Sequence, residues 1–273
     1  MARNGIGVIT GINADHSNFA TVRDFGLKVC QLSVWSEQPW WDEAVRNYPA
    51  ACKRYGVKAT SMWVGWPGPA VWDFVQGPGT LGIVPRKWRA RRVAVLKKGA
   101  ELAARMGIPG FITHLGFVPE NPGDPMFGEV VATVREIAVH AKKRGVEFWF
   151  ETGQETPTTL LRLIETVGTG NLGLNLDPAN LILYGKANPI DALDVFGKHV
   201  KCIHAKDGFY PTDPMRLGHE VKVGTGRVRF PEFVKRLREI GFKGDFIIER
   251  EISGEQQKKD IRETVKYLRK LVR

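Results

Sequence analysis

Short apolar runs alternate with amphipathic stretches along the whole chain. Eight runs have strand character: GVITGI, KVCQLSV, VKATSMWV, GFITHL, VEFWFE, LGLNLD, VKCIHA and DFIIE. Between them apolar residues recur at helical spacing, as in Val130, Val134, Ile137, Ala138 and Ala141, and again in Phe230, Phe233, Val234, Leu237 and Ile240. Ile261, Val265, Leu268 and Val272 predict a closing helix. Several helical stretches end in glycine just before the next strand, in KRYGVKA, ARMGIPG, KRGVEF and EIGFKG. Glycine there suits a left-handed helix cap. No composition shift marks a linker, and no glycine-rich phosphate loop follows GVITGI, as a doubly wound sheet would usually require. The pattern therefore predicts an α/β fold, a single (β/α)8 TIM barrel over residues 1–273.

Strand alternation then sorts the polar residues. In LGLNLD, Leu172, Leu174 and Leu176 suit the helix layer, so Gly173, Asn175 and Asp177 face the barrel axis. In VEFWFE, Val146, Phe148 and Phe150 point outward and Glu147, Trp149 and Glu151 inward; in DFIIE, Asp245, Ile247 and Glu249 are the inward set. His204 faces inward with Cys202 if Ile203 packs outward. Glu151, Asp177, His204 and Glu249 thus sit at the ends of four successive strands, on the rim where barrel enzymes build their sites. Three carboxylates in one crescent repel each other unless a cation joins them. The donor set predicts one divalent metal ion, Mn²⁺ first, with Mg²⁺, Co²⁺ and Zn²⁺ also compatible.

Composition narrows the class. A chain of 273 residues, 43% apolar, can bury a large core, and no apolar run approaches the roughly 18 residues of a membrane span. With no secretory signal at MARNGIGVIT, a cytoplasmic protein is expected. Cys30, Cys52 and Cys202 are odd in number and widely spaced, which predicts reduced thiols. The formal charge of +11 would suit an anionic partner, but the basic residues are scattered and only PRKWRARR, Arg86 to Arg92, is dense. Nucleic acid is therefore not the expected partner, and a homo-oligomer remains compatible.

Six pieces carry a family resemblance: THLGF, FETGQE, LDPANLILYG, IHAKDG, VGTGRVRFPEF and, after it, GDFIIERE. With these the chain resembles the xylose-isomerase-like barrel superfamily, in particular the sugar phosphate isomerase/epimerase group with ketose 3-epimerases and inosose dehydratase and isomerase. The resemblance implies metal ligation by Glu151, Asp177, His204 and Glu249, with Glu151 and Glu249 also the acid and base. The implied chemistry is isomerisation or epimerisation of a sugar (ketose, keto-inositol or keto-glycoside) by proton abstraction beside a metal-bound carbonyl, through an enediolate. Two positions depart from ketose 3-epimerases: Asn180 stands where a histidine is usual, and Tyr210 where an arginine is usual. The identity of the sugar does not follow.

Other rim residues are candidates for holding substrate. His114 could polarise a hydroxyl or make a structural hydrogen bond, and Trp35, Trp63 and Trp66 could cover a sugar's apolar face or pack the core. Lys206 and Asp207 could orient His204, bind substrate or simply pair ionically. Gln154 and Glu155 could support the ligands or touch substrate, and Asn180 belongs with the substrate group by its position. The segment Gly208 to Arg229 is long for a βα loop and predicts a lid or oligomer contact over the mouth. Three rivals remain: a dehydratase or lyase on a keto-sugar; an apurinic endonuclease-like metal-dependent phosphodiesterase, whose three-zinc cluster needs more histidines; and a barrel without catalysis acting as a partner subunit.

Overall fold

A computed structural model of the protein describes residues 4–272. Eight parallel strands close into a barrel: β1 Ile6–Gly11, β2 Val29–Val34, β3 Lys58–Val64, β4 Gly110–Thr113, β5 Glu147–Glu151, β6 Leu172–Leu176, β7 Val200–Ala205 and β8 Asp245–Ile248. The closing pair is β1 with β8, in the register Val8↔Ile248. The doubly wound alternative is thereby excluded, since an open sheet has two unpaired edges and this one has none.

The predicted parity is what the barrel uses. Phe148, Phe150, Leu172, Leu174, Leu176, Phe246 and Ile248 join the large apolar layer under the helices, while Trp63, Ile112, Trp149, Cys202 and Ile247 form a separate cluster with Leu81 and Trp66. A barrel axis is narrow, and the Trp149 ring fits there only because its neighbours are glycines. A Cβ at Gly110 would come within 2.3 Å of the ring and one at Gly173 within 2.9 Å. At the opposite end of the barrel the half-buried Glu147 accepts a hydrogen bond from Trp149 Nε1 at 2.7 Å and pairs with Lys201, so this inward carboxylate is structural.

The helices cover the outside, among them Trp41–Tyr55, Arg86–Arg105, Pro125–Lys142, Pro157–Val167, Phe230–Glu239 and Glu255–Leu271. The four glycines expected as caps, Gly56, Gly107, Gly145 and Gly241, all have positive φ, between 64° and 75°. No helix among the described residues is long and apolar enough to cross a membrane, and all three cysteines are free.

Three arginines of the basic cluster are tied into the fold, while Lys87 and Arg91 stay exposed. Arg86 and Arg89 both grip Glu129. Arg92 is fully buried and donates to the carbonyls of Pro67, Pro69 and Gly82, at 3.2, 2.9 and 2.5 Å. One guanidinium therefore ties together the long β3 to helix connection, which arches over the barrel mouth.

Candidate active site

The four predicted residues converge. Glu151 ends β5, Asp177 follows β6 and caps the helix Pro178–Leu183, His204 lies in β7, and Glu249 follows β8. Their potential ligand atoms all lie within 4.8 Å of one another. His204 Nδ1 is 2.8 Å from Glu151 Oε1, 3.2 Å from Glu249 Oε2 and 3.8 Å from Asp177 Oδ2.

Each ligand atom is aimed by a partner on its other side. Asp177 Oδ1 accepts the Asn180 amide proton at 2.9 Å, as an N-cap does, and this leaves Oδ2 free. The Asp177 backbone is held in turn by the Thr152 hydroxyl. His204 Nε2 is 2.9 Å from Gln31 Oε1, and Gln31 Nε2 donates to Ser61 Oγ at 3.0 Å. That chain orients the Gln31 amide, places an imidazole proton on Nε2 and turns Nδ1 towards the carboxylates. Glu151 Oε2 accepts from Trp63 Nε1 and lies 3.3 Å from His114 Nε2, so Oε1 is the oxygen turned to His204.

Two buried atoms, Asp177 Oδ2 and His204 Nδ1, lack a partner in hydrogen-bond geometry although carboxylates crowd them. Unpartnered polar atoms at such depth are costly. A divalent cation among three carboxylates and an imidazole removes that cost, so these residues fit one.

The electrostatics point the same way. Burial pushes the His204 imidazole down, but Glu151 and Glu249 outweigh it and hold it well above its ordinary value. The carboxylates that would keep a proton on Nδ1 would equally keep a metal there. Burial raises Asp177 to about 6. It also raises Glu249, but Lys206 and His204 more than reverse this, and His114 and His204 do the same for Glu151. Lys206 Nζ lies 2.8 Å from Glu251, 3.3 Å from Glu249 and 3.6 Å from Asp177. These acids overcome the burial of its ammonium and hold it well above its ordinary value.

Above the four residues opens a cavity of about 210 Å³, lined by Glu151, Glu249, His114, Trp35, Trp63, Asn180 and Lys206 among the predicted residues. Asp177 and His204 lie beneath it, so of the four only the glutamates reach the space a substrate would fill. The remaining candidates are placed elsewhere. Trp66 is packed inside the barrel, and Gln154 and Glu155 are buried outside the lining. Asp207 also lies outside it: its carboxylate accepts the amides of Gly208, Gly224, Gly226 and Val228. That hub, with the antiparallel pairing of Asp207–Phe209 and His219–Val221, gathers the ends of the long segment predicted as a lid, whose Leu217 lines the cavity. Tyr210 is turned away to the Ala187 carbonyl. Lining residues without a sequence expectation include Trp72, Tyr184 and Glu251, together with Ile9, Ser33 and Leu183.

Glu155 is fully buried, neither of its oxygens has a partner, and burial lifts its carboxyl from 4.5 to about 8. A carboxyl raised on folding stabilises the fold fully below its unfolded value, and that contribution is lost as pH rises through the folded value. The window here runs from about 4.5 to about 8. The wild-type melting temperature should therefore fall from about pH 5 to about pH 9 more than that of Glu155→Gln, a difference on the order of a few kcal/mol at the alkaline end. Parallel melting curves for the two proteins across that range would contradict it.

Comparison with known proteins places this geometry in context. A family model described as xylose isomerase-like TIM barrel matches residues 19–271. A xylose isomerase domain protein from Planctomyces limnophilus superposes with a TM-score of 0.91 at 35% identity, covering 98% of this chain and 97% of that one. The 3-keto-D-glucoside 4-epimerase of E. coli shares the fold with a TM-score of 0.71 at 15% identity, over 98% of this chain and 100% of its own. An uncharacterised protein of Methanocaldococcus jannaschii is 26% identical over 191 residues, 65% of this chain and 61% of that protein. The match thus spans less than two thirds of that relative's length.

Proposed function

Since the chain belongs to the xylose isomerase-like TIM-barrel family, we propose that it is a divalent-metal-dependent sugar isomerase or epimerase in which Glu151 and Glu249 move a proton on and off carbon. One observation carries this reading. Four groups converge on one point, yet only the two glutamates line the cavity above it.

Asp177 and His204 would serve as ligands alone, and Glu151 and Glu249 as ligands that also face substrate. A bound divalent ion supplies Lewis-acid polarisation of a carbonyl and its neighbouring hydroxyl. The protein's own part is proton transfer. Both glutamates are held below the usual carboxylate range by neighbouring cationic groups, so both are ionised at neutral pH and able to accept a proton. Glu151 and Glu249 extend from strands separated in the barrel order by β6 and β7, and therefore approach a substrate from different sides. One glutamate takes the proton as a carboxylate and keeps it; the other, protonated from solvent beforehand, gives its own proton to the opposite face and inverts the carbon, while delivery to the neighbouring carbon gives the isomer. Trp63 and His114 fix the Glu151 carboxylate, and Lys206 does so for Glu249.

The test is hydrogen exchange with solvent. Metal-loaded protein in D₂O, given a panel of ketoses, keto-inositols and oxidised glycosides, should add one deuterium on carbon to at least one compound, read by mass spectrometry. A panel without any exchange contradicts the proposal.

A further inference from the structure

We propose that the cavity takes an uncharged, ring-closed sugar whose apolar face lies on the indoles of Trp35 and Trp72, and that it discriminates against phosphorylated and open-chain sugars. This rests on the reading of the cavity as a carbohydrate site and names the class of sugar within it.

Four indoles form a continuous wall. Ring centroids are 4.8 Å apart from Trp35 to Trp63, 6.0 Å from Trp63 to Trp66 and 6.1 Å from Trp66 to Trp72. The inner pair, Trp63 and Trp66, is buried, whereas Trp35 is 49% and Trp72 39% exposed, and both line the cavity. Indole surface left open beside a cavity is poised to meet an apolar ligand face.

The wall is built into the fold. The Trp35 ring lies so close to Gly65 that a Cβ there would come within 2.6 Å of it. Trp72 belongs to the segment that Arg92 ties down. The wall meets the reacting carboxylate at two points. Trp63 donates to Glu151, while the Trp72 ring centre is 4.9 Å from that of His114, whose Nε2 is 3.3 Å from Glu151 Oε2. A ring stacked on this wall therefore lies beside Glu151.

A closed sugar ring groups C–H bonds on one flat face and complements an indole. An open chain presents hydroxyls all round and must also lose torsional freedom on binding. The cavity, at about 210 Å³, is below the range of about 300–1,000 Å³ typical of drug-sized ligands, and suits one ring.

Charge excludes phosphate. The lining carries the carboxylates of Glu151, Glu249 and Glu251 against a single ammonium, Lys206. Three acids already surround that ammonium. A divalent ion among Glu151, Asp177 and Glu249 leaves those three carboxylates net negative. The overall charge of +11 does not alter this local balance. Within the proposed chemistry, the inference selects substrates whose carbonyl lies on a closed ring, keto-glycosides or keto-inositols.

The test is calorimetric titration of the metal-loaded full chain with methyl β-D-glucopyranoside, its 6-phosphate and glucitol. The glucoside should bind about ten-fold or more tighter than the other two. Trp35→Ala and Trp72→Ala should each weaken it about five-fold, with Trp72→Phe retaining most of the affinity and all variants retaining metal and circular dichroism. Equal or tighter binding of the phosphate or of glucitol, glucoside affinity unchanged in the alanine variants, or no glucoside binding at all would overturn the proposal. Binding needs no turnover, so the two readings fail separately. Tryptophan-dependent glucoside binding without hydrogen exchange sinks the isomerase reading alone, while exchange confined to sugar phosphates or open-chain ketoses sinks this one alone.

Discussion

Glu151→Gln and Glu249→Gln should each lower solvent hydrogen exchange into a responsive sugar by about 10² or more, the usual contribution of a positioned general base. Glutamine keeps the side-chain shape and one oxygen for the ion but cannot accept the proton from carbon. The loss should fall on kcat with KM little changed, because the removed interaction matters only as the proton moves. Circular dichroism and elemental analysis on the same samples separate this from misfolding or metal loss. Glu249→Gln leaves Lys206 paired with Glu251, whereas the single amide oxygen of Glu151→Gln can serve either the ion or the Trp63 indole, so metal content is read first on that variant. Exchange at the wild-type rate in both variants would refute the two-glutamate mechanism.

The second large effect concerns stability. An ion that binds only the folded protein, at a concentration about 1,000 times its Kd, stabilises it by about 4 kcal/mol. For a chain of this size that is a rise in melting temperature on the order of 10 °C. Wild-type protein stripped by a chelator should regain that rise with Mn²⁺, and His204→Ala should lose most of it. The response should also fade in acid. Ligands bind metal only when deprotonated, and burial has raised Asp177 to about 6, so protons compete increasingly below that pH. Differential scanning calorimetry of both proteins reads all three outcomes. A Mn²⁺ response as large in His204→Ala as in wild type would remove the imidazole from the site.

Much of this site was legible because barrel strands obey a two-residue period. Leu172, Leu174 and Leu176 must face the helices, which leaves Asp177 to the rim, and the same reasoning aims Glu151 and Glu249. Gln31 was open to that argument too, as a lone polar residue between Cys30 and Leu32, but nothing local connects it with His204 on β7. The barrel does, and the imidazole tautomer depends on it.

Loops have no such period. Trp72 and Tyr184 reach the cavity from connections whose course depends on distant contacts, such as the grip of Arg92 on the carbonyls of Pro67, Pro69 and Gly82. Asp207 illustrates the converse. It sits three residues after His204 and invites a role in the site, but four backbone amides claim its carboxylate, two of them from the glycines of GTG. Adjacency in sequence to a rim ligand says little once the strand has ended.

Elemental analysis of the purified wild-type protein tests the metal centre itself. Glu151, Asp177, His204 and Glu249 are the one such group of potential ligand atoms found among the described residues, and each already has a partner that aims it. The account predicts about one divalent ion per chain after dialysis against metal-free buffer, falling to near zero in Asp177→Ala. A content near three zinc ions would favour the endonuclease chemistry, and no retained metal together with no metal-dependent stabilisation would contradict the account.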